Sequence, residues 1–269
     1  IPKARNDARP SEVRVYSPEG RRRGTLIWRC ETGATGPRFD AAGNVYMVHC
    51  IKAPGKPLPD FFKNHLPAFD PKKSGDPRRH HFSAPTAATA WVYSSIVKYP
   101  PRGGALWWSP EILPGKAGRG GEVPREILAL PKQKVMALGQ SGRPVEFELQ
   151  GAEWYYYGVS PFADKLAYGC NCQSARFDVD VWGRSFFPDA GRFRVGVLDT
   201  AGNEVLFVGA YGNRDCGGPK SAIPEPGIAF AYAYSVAVSN THVFVGDHLN
   251  HRIARLKMSY AAEETAAIK

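Results

Sequence analysis

Val243-Phe244-Val245-Gly246-Asp247-His248-Leu249-Asn250-His251-Arg252-Ile253 is the stretch that decides the fold. An apolar strand stops at Asp247, a short turn follows, and the chain resumes at Arg252-Ile253. Just upstream, Ala237-Val238-Ser239-Asn240-Thr241-His242 supplies a strand end and a tight turn. Two earlier segments have the same shape: Phe39-Asp40-Ala41-Ala42-Gly43-Asn44-Val45-Tyr46-Met47-Val48-His49 and Val179-Asp180-Val181-Trp182-Gly183-Arg184-Ser185-Phe186-Phe187-Pro188-Asp189. The interval from Gly43, Gly183 or Thr241 to His49, Asp189 or Asp247 is the same in all three. Two hairpins match easily by chance; three with one spacing indicate an internal repeat.

The halves that follow also repeat. Phe193 to Asp199 runs through Thr200-Ala201-Gly202-Asn203 into Glu204 to Val208. Val13 to Ser17 runs through Pro18-Glu19-Gly20 towards Thr25 to Trp28, and Ile96 to Tyr99 through Pro100 to Gly104 into Ala105 to Trp108. Period-two strands around a Gly-containing turn are the hairpin signal. Front and back halves join into a four-stranded unit, best seen from Ala175 to Val208, which is what a propeller blade requires.

The segment around Asp247 closely resembles the NHL repeat, which carries an apolar strand, an Asp, a short turn and then Asn-His-Arg-Ile. The Asp189 copy departs from it with Arg192 where Asn is expected, and the His49 copy departs further, with His in place of Asp. The overall pattern is similar to bacterial NHL-repeat proteins, which are often secreted. The resemblance implies an all-β fold: a β-propeller of four-stranded antiparallel blades, about four of them visible. It is read as one domain over residues 1–269, with long insertions at about 50–93 and 109–150. The second insertion, with Trp154 to Cys172, is read as holding a degenerate blade, and the last blade lacks an obvious outer strand after Met258. The start at Ile1, without Met or an apolar core, reads as a processed chain or the C-terminal portion of a longer one.

Composition agrees with an all-β globular protein. Gly 28 and Pro 23 supply turns, and aromatic residues reach 12%, a mixture that favours strands. Lys and Arg number 35 against 25 Asp and Glu, a formal net charge of +10. That surplus invites acidic partners, but no nucleic-acid recognition motif accompanies it. No apolar run is long enough for a transmembrane helix. Five cysteines in 269 residues make no disulfide framework; a Cys30–Cys50 bridge is compatible with the count.

Catalytic signatures are missing: there is no GxSxG elbow, HExxH helix or P-loop. Asp189 and Asp247, at the strand ends, read first as acceptors for the backbone of the turns that follow them. His49 breaks that rule, exchanging the Asp for a metal ligand or base. A metal site would draw on His49, Asp189, Asp247 and His248, with a divalent ion such as calcium or zinc. Arg78, Arg79, His80 and His81 form a candidate ligand-binding loop, and Cys170, Cys172 and Cys216 a weaker soft-metal set. Trp154 to Tyr157 reads as blade interior.

The leading expectation is a binding or scaffold module, periplasmic or extracellular, that recognises a protein or acidic polymer through face loops. The rival is a metal-dependent propeller lyase or hydrolase centred near His49. A domain of a larger redox or assembly protein is the third reading.

Overall fold

The structure, a computed structural model, describes residues 11–30, 35–56, 94–108, 123–138, 144–160, 175–213, 216 and 226–259. These residues form an all-β protein of four main sheets. The first contains β1 (Ser11–Tyr16), β2 (Arg22–Cys30), β5 (Ile51–Lys52), β7 (Gly104–Trp108), β8 (Lys132–Leu138) and β9 (Pro144–Gln150), ordered β1-β2-β7-β9-β8-β5. The second is ordered β10-β6-β4-β3, from β3 (Arg38–Phe39), β4 (Val45–His49), β6 (Ser94–Tyr99) and β10 (Trp154–Val159). In the third, β11 (Asp178–Val179), β12 (Ser185–Asp189), β13 (Arg194–Leu198) and β14 (Glu204–Val208) follow one another as an antiparallel meander. The fourth has three strands, β17 (Ala233–Val238), β18 (His242–Asp247) and β19 (Arg252–Lys257). A short parallel pair, β15 (Ala210–Tyr211) and β16 (Ala229–Phe230), joins the last two regions.

Period-two side-chain alternation explains why the sheets pack in series. Within β4, Val45 and Met47 point one way and Tyr46 and Val48 the other. Val45 and Met47 join Val97 and Tyr99 against Ile27, Leu106 and Leu149 of the first sheet. Tyr46, Val48 and Ile96 meet Phe177, Phe187 and Leu198 of the third. Phe186, Val195 and Val197 then meet Val236, Val243 and Val245 of the fourth. Strands covered on both faces need no polar alternation, and all five residues of β4 and all five of β12 are buried. The far face of the first sheet is covered as well: Trp107 packs with Val123, Ile127 and Leu130 around the one-turn helix α1 (Arg125–Leu128).

Three aspartates fix the turns that feed these strands. Asp40, Asp180 and Asp199 each take two backbone N–H groups on Oδ1, from the residues two and four positions on, at 2.8–3.0 Å. The side chain four positions on (Asn44, Arg184 or Asn203) donates to Oδ2. Gly43, Gly183 and Gly202 take the positive φ of about 80° that such a turn needs. Hydrogen bonds from the Asn203 side chain and backbone hold the exposed Asp199 carboxyl below its ordinary pKa. The third copy of the repeat uses other chemistry, with Ser239 Oγ accepting from the Thr241 and His242 N–H groups.

Several expectations need correction. Ile96 to Trp108 is not a hairpin. β6 pairs with β4 and β10, whereas β7 crosses into the first sheet beside β2, in parallel. The 109–150 segment is not a degenerate blade with Trp154 to Cys172: β8 and β9 complete the first sheet, and β10 is the fourth strand of the second. Trp154 and Tyr156 pack on one side of β10 and Tyr155 on the other, each ring half-buried against a neighbouring core. Cys30, Cys50 and Cys216 are buried, and the Cys30–Cys50 bridge is not formed. No helix among the described residues is long and apolar enough to cross a membrane.

Candidate functional site

The strand-end aspartates are anchored from an unexpected direction. Asp247 is fully buried. Its Oδ1 accepts from the backbone N–H groups of Ala231 (3.0 Å) and Tyr232 (2.9 Å), which precede it in the chain. Its Oδ2 accepts from Asn250 Nδ2 (2.6 Å) and Arg252 Nε (3.2 Å). Asp189, also buried, accepts on Oδ2 from Arg192 Nη1 (3.2 Å) and Arg194 Nε (2.8 Å). The two turns share further geometry. Phe193 (φ 57°) and His251 (φ 51°) occupy the left-handed region at the same position. Each donates its N–H three residues back, to Ala190 O and His248 O. Asp247 thus takes its backbone N–H groups from upstream residues, and the following turn reaches it through side chains, which corrects that part of the expectation for Asp247. Arg192 does the work of Asn250, so the departure from the motif keeps its geometry.

His49 is enclosed by the first two sheets. It is fully buried, with Nε2 3.2 Å from the Tyr99 hydroxyl and Nδ1 without a hydrogen-bond partner among the described residues. Desolvation lowers its pKa from 6.5 to about 3, so the ring is neutral at physiological pH. The unfolded chain regains the ordinary value and takes up a proton that the folded chain refuses. Stability is therefore complete above about pH 6.5 and falls as pH drops towards the folded pKa, by about 1.4 kcal/mol per unit. Between about pH 6.5 and pH 5 we expect a loss of about 2 kcal/mol, read by urea titration. His49→Phe should remove that slope; an unchanged slope would assign it to other groups.

His49, Asp189, Asp247 and His248 do not assemble into a metal centre. Among the described residues no three His, Cys, Asp or Glu side chains come together as ligands. Both aspartates are engaged by arginines. Arg78, Arg79, His80 and His81, like Cys170 and Cys172, lie outside the described residues.

His248 is the one of the four with an exposed side chain. It sits at an open depression of about 350 Å³ with Tyr234, Ser235, His251, Arg252 and Ile253 along its walls. Tyr232 and Tyr234 stack nearly parallel, 6.3 Å between centroids and 14° between planes. His248 lies 6.5 Å from Tyr232, 6.3 Å from Tyr234 and 6.5 Å from His251. Burial, with Tyr234 beside it, pushes the Tyr232 hydroxyl up to about 12. The Asp247 charge is spent on Arg252 and Asn250, which leaves two imidazoles, aromatic faces and an apolar rim for a ligand. Tyr232 and Tyr234 were not singled out from sequence, although Ala231-Tyr232-Ala233-Tyr234-Ser235 alternates as a strand bearing rings on one face.

No protein-family model matches the chain, and no curated protein matches it.

Proposed function

We propose that this chain is an NHL-type β-propeller module, and that it binds a protein or acidic polymer at the His248 depression. The observation that carries the reading is the shared turn after β12 and β18, with a buried strand-end Asp, an Arg five residues on and a left-handed residue between them. The consecutive packing of sheets one to four supports the blade reading, and the third sheet has the strand order of a blade. A net charge of +10 and the exposed imidazoles supply the affinity for acidic chains.

Polyglutamate is the probe, with binding followed by fluorescence anisotropy at two salt concentrations. Salt-sensitive binding is expected, and His248→Ala with His251→Ala should weaken it by roughly tenfold, on the scale of a few lost interface contacts. Both side chains are exposed, so the double variant should keep its fold. Unchanged binding in that variant, or none in the parent chain, would overturn the assignment of the depression.

A further inference from the structure

The third strands of sheets two, three and four can be superposed through their cross-strand partners. His49 pairs with Ser95, Asp189 with Arg194 and Asp247 with Arg252. Ile96, Val195 and Ile253 therefore occupy one position, and Lys98, Val197 and Arg255 the position two residues on. In sheets two and three these residues meet a fourth strand. Ile96 and Lys98 face Tyr156 and Trp154 of β10; Val195 and Val197 face Val208 and Leu206 of β14. Among the described residues β19 has no such neighbour.

The free edge of β19 has a defined polarity. The Met258 N–H donates to Thr241 O at 2.9 Å. Antiparallel alternation then turns Arg252, Ala254 and Leu256 towards β18, and the N–H and C=O groups of Ile253, Arg255 and Lys257 outward. Ile253 is 75% exposed, whereas its counterparts Ile96 and Val195 are fully buried. Charge gives the second observation. Lys98 Nζ pairs with Glu153 Oε2 at 2.9 Å, and Glu153 immediately precedes β10. Lys98 lies across from Tyr46, and Arg255 lies across from Phe244 in the same way. Arg255 is thus the counterpart of a cation that, in the second sheet, is neutralised from the fourth-strand side. Lys257 adds a second exposed cation, and β19 carries no carboxylate.

We infer that β19 is the docking edge for an acidic β-strand of a partner protein, which adds antiparallel as a fourth strand and sets a carboxylate against Arg255. The inference rests on the binding-module reading but moves the contact from the depression to the adjoining strand edge. Backbone hydrogen bonds supply affinity in such strand addition, and alternating side chains supply specificity.

The test uses the full chain and a labelled peptide in which Glu and Val alternate. Amide hydrogen exchange is measured residue by residue, with and without peptide. Peptide binding should slow exchange at Ile253, Arg255 and Lys257 by roughly tenfold or more, and leave Ala254 and Leu256, already bonded to β18, little changed. Arg255→Glu should abolish binding and Arg255→Lys should retain it. A peptide of the same charge interrupted by Pro, which cannot extend a ladder, should bind weakly. Equal binding of that peptide, or peptide binding without protection at the three edge amides, overturns strand addition. If binding then depends on His248 and His251, the depression reading survives alone; if no peptide or polyglutamate binds, both fall. Full protection of the edge amides in the free chain would show that the chain itself fills the edge, and also overturns the proposal.

Discussion

Asp247→Ala should cost about 3–5 kcal/mol of stability, at about 1–3 kcal/mol for each backbone donor that loses its acceptor, and lower the melting temperature by roughly 10 °C. The loss does not come chiefly from the Arg252 pair, because the Arg252 side chain is 43% exposed and water screens that contact. It comes from the Ala231 and Tyr232 N–H groups, which have Asp247 Oδ1 as their shared acceptor. Ala231 is buried, and a buried donor left without an acceptor costs about 1–3 kcal/mol. Asn250, which also donates to Gly212 O, loses its second anchor. Asp247→Asn should be milder, since its amide oxygen can still receive the two N–H groups. Thermal denaturation followed by circular dichroism separates these variants. If Asp247→Ala instead kept its melting temperature and lost polyglutamate binding, Asp247 would be a ligand contact and not a structural anchor.

That anchor marks the limit of what the sequence discloses here. The repetition of a strand-end carboxylate at Asp189 and Asp247 was legible, as was its structural duty. Its partners were not, because Ala231 and Tyr232 lie 16 and 15 residues upstream and reach Asp247 only once β17 and β18 pair. The local Asx turns belong instead to Asp40, Asp180 and Asp199, where the Asp-x-x-Gly spacing was already visible in the quoted repeats. His49 misled for a related reason. A histidine in an aspartate's place reads as chemistry, but the partner that makes it a core residue is Tyr99, 50 positions away. His248 was legible as a candidate. The tyrosines that build its surroundings, Tyr234 on β17 and Tyr232 just before it, become neighbours only through pairing across the fourth sheet. The meander from β11 to β14 was readable throughout because each of its strands pairs with the next in sequence. The first sheet was not, since β2 and β7 pair across the intervening strands β3, β4 and β6 of the second sheet, and β7 then pairs with β9 past β8.

Gly103→Ala should be the most damaging single-methyl substitution in this set, with a loss on the order of 4 kcal/mol or more once backbone strain and overpacking are combined. Gly103 stands where the chain leaves β6 and enters β7, the crossing that replaces the expected hairpin. Its φ is +77°, a region in which a side chain is strained, and a Cβ there would fall on the backbone carbonyl oxygen of Leu26 in β2. That carbonyl belongs to a strand paired on both sides, by β1 and β7, so it cannot retreat without breaking a ladder. Gly20 supplies the control. Its φ is +79° but it has open space around it, so Gly20→Ala carries the strain alone, about 1 kcal/mol. The difference between the two variants in urea unfolding isolates the steric contribution of the crossing. Equal losses would mean that β7 does not lie against β2 at Gly103, and the parallel pairing of Ile27 with Gly104 would have to be abandoned. A large excess for Gly103→Ala fixes the path of the chain between the first two sheets, and with it the buried position of His49 between them.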